Sequence, residues 1–219
     1  MIIMGIDSST DRLAVGLAEG QTILAEKTLD SSREHASRII GVINDILNEA
    51  SVTKDRIEGI AVAIGPGSFT GLRIGLAVAK GMAYSLKIPL VGISTFEVMA
   101  RRLLNDYSEF FLSAVVRRGE YYLSRIKAAE NIRENIALIS EADLLAKIGT
   151  VPAGLIGREP SGIWNDIPAL IPVDKLSVSG GELAVLGAEQ IILGRFDDIA
   201  GLEPLYIAPS QAERKFGQP

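Results

Sequence analysis

The stretch IEGIAVAIGPGSFTGLRIGLAVAKGMAYSLKIPLVGI, residues 57–93, decides the fold. IEGIAVAIG is an almost unbroken apolar run, as a strand covered on both faces requires. GPGSFT then turns the chain into a helix, LRIGLAVAKGMAYSL. That helix must end before Ile88-Pro89, because proline disfavours helical backbone in the residue ahead of it. PLVGI supplies the next strand. Gly71 and Gly75, one turn apart at the start of this helix, set a problem, since a helical glycine costs roughly 1 kcal/mol relative to alanine. Either the GPGSFTG loop cradles a phosphate, or something packs very close to Gly71 and Gly75.

No GK[ST] follows the glycines, which excludes a Walker phosphate loop, although free N–H groups around Ser68 to Gly71 leave a generic anion site open. Gly71, Gly75, Ala79 and Ala83 recur at intervals of four and form a stripe of small residues. A second helix backbone can approach such a stripe closely. Arg73 and Lys80 interrupt the apolar pattern, so this is no membrane helix. The expectation is a stripe facing a partner helix; the alternative is a helix packed on its own sheet.

Outward from this unit, MIIMGI, RLAVGLAE and QTILAEKTL read as three strands, the last two joined by a tight turn at Glu19-Gly20. Ser31 and Glu34 form a capping box that opens a helix, with Ala36, Ile39, Ile40, Ile43, Ile46, Leu47 and Ala50 as its apolar face. STFEVMARRLL is a further helix, capped by Ser94 or Thr95. Three meandering strands followed by alternating helices and strands predict an α/β fold with a mixed sheet, of the ribonuclease-H-like and actin-like ATPase kind. A polar boundary near 101–109 divides residues 1–105 from a smaller lobe, 106–219. That lobe opens on a hairpin turning at Arg118-Gly119, laid out like the first hairpin, and implies a duplication. ENIALI, the helix SEADLLAKIG, VPAGLIG and a helix capped by Ser179 and Glu182 follow. The tail, 207–219, is expected to return to the first lobe.

Composition narrows the chemistry. The chain has 219 residues, 47% hydrophobic and 22% charged, with a net charge of −5, which gives no basic footprint for unaided nucleic-acid binding. There is no cysteine, which removes disulfides and thiolate nucleophiles. No apolar run reaches the length of a membrane span and MIIMGID lacks a charged leader, so the expected location is the cytoplasm. His35 is the one histidine; position 39 is Ile39, so HExxH zinc chemistry fails, and no GxSxG elbow presents a serine. His35 itself reads as a helix-start residue at a surface or interface. Asp7, followed by Ser8, Ser9 and Thr10, ends the first strand, where actin-like kinases place an acid that helps position metal-bound water and a turn that receives phosphate. An Asx-type turn is the simpler account. The second hairpin, Val115 to Gly119, carries no carboxylate to match it.

DSST at 7–10, REHASRIIGVINDIL at 33–47, GPGSFTGLRIGLAVAKGMA at 65–83, GISTFEVMA at 92–100 and EPLYI at 203–207 resemble the TsaB (YeaZ) family of bacterial threonylcarbamoyladenosine biosynthesis proteins. The resemblance implies a two-lobed actin-like ATPase fold without catalysis of its own and without a metal site. It implies a partner of TsaD, the enzyme that transfers a threonylcarbamoyl group to adenosine 37 of tRNAs reading ANN codons. The ATPase TsaE completes that complex; a homodimer forms when the subunit is alone, and tRNA is met only through the complex. The subunit alone requires no cofactor; ATP or ADP and magnesium belong to the complex, with Asp7, Ser8, Ser9 and Thr10 as a vestigial or shared nucleotide turn. Partner contacts fall on the first two helices, here 32–49 and 68–86. They carry Arg33, His35, Ile39 and Ile43 on one, and Phe69, Leu72, Arg73, Gly71, Gly75, Ala79 and Ala83 on the other. Many family members have an Asp-Ala-Arg triplet in the second hairpin, where this chain reads Val116-Arg117-Arg118. The competing readings are a stand-alone ATP-dependent phosphotransferase or ATPase, and a protease after the family's older glycoprotease label.

Overall fold

The computed structural model describes residues 1–30, 34–128, 132, 135–157 and 162–205. Its first sheet contains β1 (Ile2–Asp7), β2 (Arg12–Glu19), β3 (Thr22–Asp30), β4 (Gly59–Gly65) and β5 (Leu90–Ser94), in the order β3-β2-β1-β4-β5. The first three strands form an antiparallel meander, and β4 and β5 are added in parallel. The connecting helices are α1 (His35–Glu49) and α2 (Phe69–Leu86), and α3 (Thr95–Leu103) follows β5. A second sheet holds β6 (Glu109–Arg117), β7 (Glu120–Lys127), β8 (Ala137–Ser140) and β9 (Ala153–Ile156), ordered β8-β7-β6-β9. Two antiparallel pairs and one parallel addition repeat the start of the first sheet, so the duplication read from the two hairpins is real at the level of topology.

Strand alternation separates two cores. Ile2, Met4 and Ile6 of β1 join Ile39, Val42, Ile43 and Ile46 of α1 and Leu76, Ala79 and Ala83 of α2. Ile3 points the other way, toward a core shared by α3, the second sheet and α5 (Gly180–Ile192). Although α5 lies in the second half of the chain, it packs across β1, β2 and β4 of the first sheet. Glycines permit that approach: a Cβ on Gly5 or Gly16 would come closer than 3 Å to the backbone of residues 180 to 184. The following segment stays with the first sheet. Asp197 N donates to Leu90 O at 2.8 Å, Gly92 N donates to Asp197 Oδ2 at 2.8 Å, and Leu205 N donates to Ile64 O at 2.7 Å.

Capping explains the helix boundaries. Ser94 caps α3 in a full capping box with Glu97, and Ser179 accepts from Glu182 N at the start of α5. The expected box at Ser31 lies outside the described residues, as does the tail from 206 onward. α1 begins at His35, with Glu34 at its N-cap and no side-chain cap hydrogen bond. Its apolar face is also rotated from the one expected: Val42 is buried, whereas Ala36 and Ile40 are exposed.

Candidate functional site

The turn after β1 is built inward. Asp7 is 1% exposed, and its Oδ1 accepts from Ser9 N at 2.6 Å. Burial pushes its carboxyl up from the ordinary aspartate range to about 6, against the Ser9 amide and hydroxyl and the His35 imidazole, each of which favours the charged form. Ser8 Oγ donates to Gly71 O at 2.8 Å, Ser68 N donates to Ser9 O at 2.6 Å, and Thr10 Oγ1 accepts from Arg12 N at 3.1 Å. The hydroxyls of Ser8 and Thr10 and the Ser9 carbonyl, which would line a phosphate turn, are thus engaged within the subunit. Among the described residues, the buried side-chain atoms without a hydrogen-bond partner include Asp7 Oδ2 and Ser9 Oγ of this turn and His35 Nε2 of α1.

This packing accounts for the glycines of α2 and corrects the expected role of its stripe. A Cβ on Gly67 or Gly71 would come closer than 3 Å to the carbonyl oxygen of Ser9 or Ser8, and one on Gly75 would collide with Ser8 Oγ. Gly71, Gly75, Ala79 and Ala83 are buried against the subunit's own turn and first sheet, so they are unavailable to a partner helix. Leu72, Ile39, Ile43 and His35, also expected at the interface, are buried inside the subunit as well. Of the expected contact residues, Phe69 and Arg73 are exposed, with the Arg73 guanidinium 3.8 Å over the Phe69 ring; Arg33 lies outside the described residues.

The outer surface of α1 and α2 shows what the sequence reading missed. Ile40 is 53% exposed, Phe69 46% and Tyr84 78%. Gly41, Ala77 and Gly81 are exposed too, and a Cβ added at Gly41 or Gly81 would meet nothing within 4 Å. Each of these helix-interior glycines carries a propensity cost of roughly 1 kcal/mol that no contact inside the subunit explains. The available signal was Ala77 and Gly81 at spacing four, two positions along the chain from the row of Gly71, Gly75, Ala79 and Ala83. α1 and α2 are neighbours, and these positions lie on their exposed sides.

The second hairpin offers little chemistry. Arg117 pairs with Glu120, Arg118 is exposed, and Gly119 takes φ +79 at the turn while its carbonyl accepts from Glu141 N at 2.9 Å. Among the described residues no group of three or more His, Cys, Asp or Glu side chains is placed to hold a metal. No helix among them is long and apolar enough to cross a membrane. An open groove of about 1200 Å³, lined by Tyr84, Ile88, Pro89 and Phe196, lies at the start of β5, away from the Asp7 end of the sheet.

Comparisons with known proteins converge. Residues 22–200 match the family described as TsaD, tRNA N6-adenosine threonylcarbamoyltransferase. The chain is 27% identical over 233 residues to the tRNA threonylcarbamoyladenosine biosynthesis protein TsaB of Escherichia coli (strain K12), covering 98% of both chains. It is 27% identical over 208 residues to the tRNA N6-adenosine threonylcarbamoyltransferase of Geobacter sp. (strain M21), covering 84% of this chain and 57% of that protein. The solved structure of YeaZ from Pseudomonas aeruginosa has the same fold, with a TM-score of 0.79 at 22% identity over 93% of this chain and 98% of that one.

Proposed function

Because the chain belongs to the TsaD family, on its TsaB (YeaZ) branch, we propose that it is the partner subunit of a TsaD-type transferase in forming N6-threonylcarbamoyladenosine in tRNA. It presents a docking face and carries no chemistry of its own. The observation that carries this reading is the exposed side of α1 and α2, where a Cβ at Gly41 or Gly81 would meet open space and Ile40, Phe69 and Tyr84 are exposed. Small residues on neighbouring helices let another backbone approach, and exposed aromatics beside them supply anchors. The same face serves a second copy of the chain when the transferase is absent. A TsaE-type ATPase and tRNA join through the complex, in keeping with the net charge of −5.

The non-catalytic part of the proposal is supported by the inward-bonded turn at Asp7 to Thr10 and by the 57% coverage of the Geobacter transferase. A phosphotransferase needs those hydroxyls and amides for its phosphates. Nucleotide and magnesium are therefore assigned to the complex and not to this subunit alone. Reconstitution tests the reading. The chain with ATP, magnesium, a threonylcarbamoyl donor and tRNA should yield no modified adenosine by mass spectrometry. Adding it to its TsaD-type and TsaE-type partners should raise the yield well above theirs alone. Rapid ATP turnover by the isolated chain, or full modification without it, would overturn the proposal.

A further inference from the structure

The groove at the start of β5 is continuous with the exposed side of α2. Gly81, where an added Cβ would meet open space, is itself one of the groove's lining residues. Tyr84 lies three positions on, about 4.5 Å further along the helix and on the same side of it. A second aromatic comes from the segment after α5: Phe196 also lines the groove and is 60% exposed. The shape is held by bonds within the subunit. Lys80 Nζ on α2 donates to Ala200 O at 2.9 Å, which ties the helix to the segment that carries Phe196. Asp197 is held on β5 through both its amide and its carboxylate, and Asp198 Oδ2 accepts from Gly201 N at 2.7 Å. Of the charged lining residues, only the Lys87 side chain stands outside this network. A small-molecule site presents several converging polar groups that orient its ligand. Here the polar groups are turned to the chain's own backbone and the aromatic surface is left open, which suits side chains of another protein.

We propose, on the footing of the partner reading, that the transferase's contact with α2 runs past Gly81 into this groove, where an apolar side chain of the transferase seats against Tyr84 and Phe196. A backbone passing close over Gly81 brings its own side chains within reach of Tyr84, one helical turn on. Because the groove is already shaped by internal bonds, little ordering opposes the contact. The partner surface therefore extends beyond the two helices to a segment from the second half of the chain.

Isothermal titration of the full chain into its TsaD-type transferase tests this with Phe196→Ser and Tyr84→Ala, one variant on each element. Ile192→Ser is the control, because Ile192 is 71% exposed and does not line the groove. Each groove variant should weaken binding about ten- to thirtyfold at the wild-type Tm, and the control should bind like wild type. Unchanged affinity in both groove variants would overturn the proposal. Gly81→Leu, titrated alongside, then separates two failures: if it weakens binding the partner reading stands without the groove, and if it does not, that reading falls too. Weaker self-association at unchanged affinity for the transferase would give the groove to a second copy and overturn the proposal. An equal loss of affinity in Ile192→Ser would overturn it as well.

Discussion

Gly75→Leu separates the two roles that the small-residue stripe of α2 could have. A Cβ at position 75 would collide with Ser8 Oγ and lie 3.5 Å from Ser8 Cβ and 3.8 Å from Ile6 Cγ2. Ser8 Oγ cannot move away freely, because it donates to Gly71 O at 2.8 Å inside the subunit. Losing that bond leaves a buried hydroxyl and carbonyl short of a partner, at about 1–3 kcal/mol. Overpacking by the rest of the leucine adds about 1–3 kcal/mol. Replacing a helical glycine returns only about 1 kcal/mol. The expected net loss is about 1–5 kcal/mol, centred near 3, which for a protein of this size lowers Tm by roughly 6–12 °C at the centre of that range. Differential scanning calorimetry on the isolated chain, with Gly81→Leu as control, reads this directly. Gly81 has open space above it, so the control should melt at the wild-type temperature or slightly higher. A Gly75→Leu protein that melts like wild type but no longer associates would return the stripe to an intermolecular role and refute the packing argument.

Other perturbations probe the same architecture. Asp7 has its carboxyl raised from 3.8 to about 6 by burial, so the native state holds the proton more tightly than the unfolded chain. Its stability contribution therefore falls as pH rises through that window, leaving a cost of up to about 3 kcal/mol at neutral pH. Asp7→Asn should raise denaturant stability at pH 7, with a gain that shrinks as pH falls from about 6 to 4. Gly5→Ala should reduce folding or soluble yield sharply, because its methyl would strike the Gly180 carbonyl oxygen and Ala184 N of α5, which are backbone atoms. Ser94→Ala should cost about 1–2 kcal/mol in chemical denaturation, since it removes the α3 cap and the bond from Ser94 Oγ to Gly65 O at 3.0 Å.

The three short apolar strands at the start of the chain and the apolar run at 57–65 made the first sheet legible, and the two hairpins made the duplication legible, because both are local signals. The partner of α5 was not legible. Gly180, Gly181 and Gly187 read as a weak helix start and interior, yet they are the surface that meets Gly5, Gly16 and Ala61 across more than a hundred residues of chain. Spacing four in α2 correctly marked close packing, but a row of small residues does not say whether the backbone that meets it belongs to the same subunit or to another chain. Both Gly75 and Gly81 look alike in sequence; the Ser8 hydroxyl over one and open space over the other distinguish them. His35 looked like a surface residue because it opens a helix, whereas it is buried and acts on a carboxylate from β1.

The docking face is tested most directly by isothermal titration of the full chain into its TsaD-type transferase, comparing wild type with Gly81→Leu. A leucine between closely packed backbones should cost about 1–3 kcal/mol and weaken the complex roughly ten- to hundredfold, with no loss of Tm in the isolated chain. Unchanged affinity for the transferase at unchanged Tm would contradict the claim that α1 and α2 form the partner surface.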